Sequence, residues 1–227
     1  NPGDTVVVEL PTFVSGINAM RIHGANVVGV EMDEEGMELA GLERAFQTEP
    51  NVRLLYVIPT FQNPSGKTMS LARRKAIYAL CVKYGVMILE DNPYGELRFR
   101  GEDIPTFKSM DDEGIVIYNG SYSKVLSAGM RIGFVMAQKD VLQRLTVAKQ
   151  FSDCHSNIFF QIVTDEWLRT ADVDAHIAKI RKIYRERCDF MLKLLDEHMD
   201  KRVTYTRPDG GLFLWCTLPE GCDSQEL

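Results

Sequence analysis

Ile115-Val116-Ile117-Tyr118-Asn119-Gly120-Ser121-Tyr122-Ser123-Lys124 is the stretch that decides the fold, with Arg131-Ile132-Gly133-Phe134 a short way on. A β-branched apolar run gives out into glycine, two serines and a lysine, and a guanidinium follows. Short apolar runs of this type alternate with helical patterns through the first half of the chain. That alternation predicts an α/β protein with a mostly parallel sheet. In open sheets of that class, ligands bind beyond the carboxyl ends of the strands. An amine placed there among hydroxyls and a guanidinium points to a phosphorylated carbonyl compound.

Working outward, Thr5–Glu9 and Ala25–Val30 read as strands with a helix around Gly16–His23 between them. Leu42–Gln47 reads as a short helix, and Val52–Ile58 as a strand entering the loop Pro59–Gly66. Ser70 offers an N-cap for a helix over Leu71–Tyr84, whose Ala76, Ile77, Leu80 and Cys81 share one face, and Gly85 closes it. Val86–Leu89, Ile115–Asn119 and Ile132–Ala137 complete the strands. Lys139–Arg169 is mostly helical. Asp174–Asp200 is one long helix with a seam through Ile177, Ile180, Ile183, Tyr184, Met191 and Leu195. Its cluster Lys179, Arg181, Lys182, Arg185, Arg187 is a solvated face balanced by Glu186 and Asp189. Val203–Arg207 and Leu212–Thr217 read as a hairpin around Pro208-Asp209-Gly210-Gly211.

These patterns divide the chain into a large domain over residues 1–170, an interdomain helix over 171–202, and the start of a small α+β domain over 203–227. The chain opens in mid-phrase at Asn1-Pro2-Gly3-Asp4, and its last segment is too short for its own core. The expectation is a fragment of a longer protein.

Composition narrows the class. The chain has 227 residues, 45% hydrophobic and 26% charged, as in ordinary globular proteins. A net charge of −6 argues against general affinity for nucleic acid or anionic membranes. No apolar run approaches the length of a membrane span. The five cysteines are odd in number and scattered, without C-x-x-C spacing, which fits reduced thiols in a cytoplasm. His155 beside Cys154 has no second cluster at ligand spacing, so no metal site is expected.

Three segments where strands end carry the chemistry: Pro59-Thr60-Phe61-Gln62-Asn63-Pro64-Ser65-Gly66, Glu90-Asp91-Asn92-Pro93-Tyr94-Gly95, and the Lys124 segment. Ser121-x-x-Lys124 also has the nucleophile spacing of penicillin-binding enzymes. The companion motifs are only approximated by Ser152-Asp153-Cys154 and Lys67-Thr68-Met69, so acyl transfer is rejected. Taken together, and with Pro11-Thr12-Phe13, Asp33–Met37 and Arg207–Trp215, the segments resemble the fold-type I pyridoxal-phosphate aminotransferases of class I/II. The 2-aminoadipate and kynurenine aminotransferase-like branch is the nearest match.

That resemblance implies a three-layer α/β/α large domain and the cofactor pyridoxal 5'-phosphate. It makes Lys124 the amine of the internal aldimine and the proton carrier of transamination. Asp91 matches the carboxylate that pairs with the pyridinium nitrogen. Asn63 and Tyr94 match the donors to the ring's phenolic oxygen, and Ser121, Ser123 and Arg131 match phosphate ligands. Phe13 falls where the family stacks an aromatic residue on the ring. The implied reaction transfers an amino group from an L-amino acid to a 2-oxo acid such as 2-oxoglutarate, in a cytoplasmic homodimer. Two alternatives share the fold. One is the sensor domain of a winged-helix transcriptional regulator, opposed by the intact Gln62-Asn63-Pro64 and by Asp91-Asn92-Pro93-Tyr94; the other is a β-lyase. The family's substrate-carboxylate Arg lies beyond Leu227 and its Gly/Ser/Thr-rich phosphate turn lies upstream of Asn1. The fragment alone is therefore expected to be inactive.

Overall fold

The computed structural model describes residues 1–224, so the last three residues of the expected small-domain segment lie outside it. The sheet is built from β1 (Thr5–Leu10), β2 (Asn26–Asp33), β3 (Gly36–Met37), β4 (Val52–Val57), β5 (Met87–Asp91), β6 (Val116–Ser121) and β7 (Gly133–Met136), in the order β3-β2-β1-β4-β5-β6-β7. β2, β1, β4, β5 and β6 run parallel; β3 and β7 are antiparallel edges. The central strands read as near-continuous apolar runs because both faces are covered. On one face Val7, Leu55, Val57 and Ile88 pack with Leu42, Phe46, Ile77 and Cys81; on the other Val6, Val8, Tyr56 and Ile58 pack with Phe61 and Tyr94.

The helices supplying these layers are α1 (Val14–Ile22), α2 (Leu39–Thr48) and α3 (Leu71–Tyr84). α3 matches the sequence reading at both ends. The Ser70 hydroxyl accepts from the Arg73 amide, and Gly85 takes the left-handed conformation a C-cap requires. α4 (Lys139–Asp153), α5 (Ile158–Thr170) and α6 (Val173–His198) follow.

Three expectations need correction. Strand ends shift by a few residues, and the fifth strand starts at Met87 and carries through Glu90 and Asp91. The hairpin is reduced to β8 (Thr204–Tyr205) and β9 (Cys216–Thr217). Its middle pairs elsewhere: the Asp209 carbonyl accepts from the Phe99 and Arg100 amides, and the Gly211 amide donates to Leu97. In α6 only Ile177 and Leu192 are buried, while Ile183 and Met191 are exposed. Its first turns pack on Leu97 and Val125, which makes that half of the seam real.

Arg74 ties the site's loops to this frame. It is fully buried, and its guanidinium donates to the carbonyls of Met69, Pro59 and Pro105 and to the Thr60 hydroxyl. Burial pulls its pKa down to about 10, so it stays cationic at neutral pH. Arg74→Ala strands those acceptors, and we expect a loss of about 3–5 kcal/mol, read from denaturant unfolding. A loss under about 1 kcal/mol would contradict this account.

Candidate active site

The sheet order reverses its direction of growth between β1 and β4. β1 is followed by β2 on one side, β4 by β5 on the other. Such a switch point opens a crevice at the carboxyl ends of the strands. Pro11-Thr12-Phe13 leaves β1 there and Pro59–Gly66 leaves β4; Asp91 closes the adjacent β5.

Asp91 is the most constrained of these groups. Its Oδ2 accepts from the Tyr56 hydroxyl and its Oδ1 from the Asn119 amide, both at 2.8 Å. The register places these donors: Tyr56 on β4 stands opposite Leu89, two residues before Asp91, and Asn119 on β6 stands opposite Asp91 itself. Burial pushes the Asp91 carboxyl up, and the two hydrogen bonds pull it back toward ionisation. Among the described residues no cation pairs with it.

Asn63 and Tyr94 come together, the amide donating to the phenol oxygen at 3.4 Å. Tyr94 is buried edge-on against Phe213, and that burial raises its pKa. The Asn63 turn is tied to the same segment through Gly66. Its φ is +70°, and a Cβ there would lie 2.6 Å from the Phe213 carbonyl, so glycine is required twice over.

β6 delivers Ser121, whose Oγ accepts from the Ser123 amide at 3.1 Å. Lys124 follows in a single π-helical turn over Ser123–Ser127, half-buried. Such turns recur at functional sites. Among the described residues its amine makes no hydrogen bond or ion pair. Arg131 sits in the left-handed conformation (φ 58°), between the turn and β7, and its guanidinium bonds only the nearby Ala128 carbonyl among the described residues. Phe13 caps the start of α1 and is 37% exposed, so it is not a core residue. One turn on, a Cβ at Gly16 would stand 3.2 Å from the Tyr56 hydroxyl, which places the head of α1 against the Asp91 cluster. No hydrogen bond, ion pair or cation–π contact joins Phe13, Lys124 and Arg131 to one another among the described residues. A separate cleft of about 730 Å³ flanks the Asn63 turn, lined by Pro11, Ser65, Lys67, Arg207 and Trp215 among others.

Sequence reasoning missed Tyr56, Asn119 and Glu9. Tyr56 stands inside the apolar run Leu54-Leu55-Tyr56-Val57, where it reads as core. The one available signal was a polar group at the end of each apolar run, Glu9 after Val8 and Asn119 after Tyr118.

Comparison with known proteins fits this geometry. The family model for aminotransferase class I and II matches residues 1–225. The chain is 43% identical to aromatic-amino-acid aminotransferase 1 of Thermococcus litoralis, over 99% of this chain and 55% of that protein. Kynurenine aminotransferase of Pyrococcus horikoshii, solved in complex with PMP, superposes with a TM-score of 0.96 at 40% identity, over 100% of this chain and 57% of that one. LysN, the α-aminoadipate aminotransferase of Thermus thermophilus, was solved with N-(5'-phosphopyridoxyl)-L-leucine. It gives a TM-score of 0.94 at 37% identity, over 99% of this chain and 58% of that one. The chain thus spans little more than half the length of these relatives. On the family match and these identities, it belongs to the aminotransferases of class I and II.

Proposed function

We propose that the protein binds pyridoxal 5'-phosphate in the switch-point crevice and transfers an amino group between an L-amino acid and a 2-oxo acid such as 2-oxoglutarate. The carrying observation is Asp91: a part-buried carboxylate held by two neutral donors, with no cation among the described residues to balance it. A carboxylate so placed calls for a cationic ligand, because an uncompensated buried charge is costly. A protonated pyridine nitrogen meets that need, and so the residues present fit the group.

Bound there, the cofactor would supply an aldehyde for the amino group and a ring that takes up electrons. The chain's residues do the rest. Asp91 would hold the proton on the ring nitrogen. Asn63 and Tyr94 would donate to the phenolic oxygen, and Phe13 would pack on the ring. Ser121, Ser123 and Arg131 would hold the phosphate, the Arg131 guanidinium being suited to forked recognition. Lys124 Nζ takes a proton from the substrate α-carbon and later returns one, as general base and then acid.

The same reading has a cytoplasmic homodimer with residues 1–170 as cofactor domain, 171–202 as linking helix, and 203 onward opening a small domain. Exposed Phe151, Ile158, Phe159 and Ile162 support a face that a second body covers. No helix among the described residues is long and apolar enough to cross a membrane. The test is titration of the purified full-length protein with pyridoxal phosphate, followed by a panel of amino donors with 2-oxoglutarate. We expect an absorbance band near the visible edge and saturable formation of glutamate. Binding without turnover would favour a sensor, and release of pyruvate and ammonia a lyase.

A further inference from the structure

We propose that Glu9 and Gln62 are positioning residues, a carboxyl–carboxamide node that fixes the spacing between the loop bearing Phe13 and the loop bearing Asn63. The proposal rests on the reading of those two residues as cofactor contacts. The β1–β4 ladder runs from Thr5 opposite Val52 to Val8 opposite Tyr56, and there it ends. One residue on, the Glu9 side chain takes over. It is 1% exposed, and its Oε2 accepts from the Ile58 amide at 3.0 Å. The same oxygen accepts from Gln62 Nε2 at 3.3 Å, and Nε2 also donates to the Pro11 carbonyl at 2.8 Å. On its other side, Gln62 Oε1 receives the Ser65 amide at 2.9 Å and the Ser65 hydroxyl at 2.7 Å.

One carboxamide therefore touches the end of β1, the backbone two residues before Phe13, and the serine that closes the Asn63 turn. Among the described residues no backbone hydrogen bond joins the two loops directly to set that distance. A buried carboxyl is a costly way to satisfy one backbone amide and one carboxamide, and it stands at the switch point between the two loops.

Glu9 serves this node as a neutral acid. Burial pushes its pKa up to about 8; the bonds from Ile58 and Gln62 and the charge of Arg74 oppose that shift, and Asp91 adds to it. The charged and titratable groups facing it are Arg74 from α3, Asp91 from β5 and Tyr56 from β4. A neutral acceptor can be replaced by an amide, which gives the test its discriminating variant.

Amide hydrogen exchange and pyridoxal phosphate titration are measured on the unmodified protein and on Glu9→Gln, Glu9→Ala and Gln62→Ala. Glu9→Gln is expected to keep the Ile58 and Ser65 amides protected and the cofactor dissociation constant within about twofold. Glu9→Ala should speed exchange at Ile58, and Gln62→Ala at Ser65, and each should weaken cofactor binding about tenfold. A pH series gives a second readout. Between the ordinary glutamate value of 4.5 and about 8 the native state keeps a proton that the unfolded chain has lost, so this stabilisation falls as pH rises through that window. The fall in Tm from about pH 5 to about pH 8 should therefore be smaller in Glu9→Gln. The proposal is overturned if the alanine variants leave both amides and the cofactor affinity unchanged, if they loosen all amides equally, or if Glu9→Gln is as damaged as Glu9→Ala. Should the unmodified protein not bind pyridoxal phosphate, the proposed function fails, and the exchange rates at Ile58 and Ser65 still decide the role of the node.

Discussion

Lys124→Ala is expected to abolish the absorbance band that pyridoxal phosphate gives the unmodified protein, and to lower amino transfer by about 10²–10⁴-fold. The amine is the group for which no side chain in the crevice can substitute. The loss will be one of chemistry and not of folding. Lys124 Nζ makes no hydrogen bond or ion pair among the described residues, and its π-turn packs through the buried neighbour Val125. Removing the side chain should change stability by no more than about 0.5 kcal/mol. Lys124→Arg is the sharper companion, since it keeps the charge and removes the nucleophile, and it should lose the band as completely. A Lys124→Ala protein that keeps both the band and its turnover would end the proposed assignment.

Asp91→Asn should separate activity from stability. The substitution keeps the shape and removes the charge that, in the proposed function, would hold the ring-nitrogen proton, so turnover should fall by about 10²–10³-fold, the scale seen when one preorganised electrostatic partner is lost. The melting temperature should hold or rise. Burial already opposes the ionised form of Asp91, and an amide is cheaper to bury than a carboxylate. Steady-state kinetics beside a thermal melt decide the matter. Wild-type turnover in Asp91→Asn would remove the observation on which the proposed function stands. A large fall in melting temperature would instead make Asp91 a structural residue.

Much of this architecture was legible in the sequence, and the pattern of success has a physical cause. α3 could be bounded to the residue because its signals are local: a serine cap, an apolar face and a glycine that accepts left-handed backbone. β4, β5 and β6 were visible as apolar runs, but their ends were placed only to within a few residues. What surrounds Asp91 was not visible. Tyr56 and Asn119 reach it across the sheet, and lateral neighbours depend on register, which no one-dimensional spacing encodes. The hairpin failed for a similar reason. Residues 209–211 satisfy their backbone on 97–100, a non-local choice that outcompetes the local turn. β3 escaped because two residues carry no periodicity.

The reversal of sheet order between β1 and β4 has a kinetic consequence. β1 meets β2 through a connection of modest length, but it meets β4 only after the whole of β2, β3 and α2 has been threaded between them. The entropy of closing a loop grows slowly with length, about 0.6 kcal/mol per doubling, but it is lost before the parallel pairing returns anything. A partly folded chain can hold α1 against β1 and β2 and still have no crevice, because one wall has not arrived. Binding to the crevice therefore selects chains in which that closure is complete, and stabilises them by mass action. A ligand bound there would act as a proofreader of the fold.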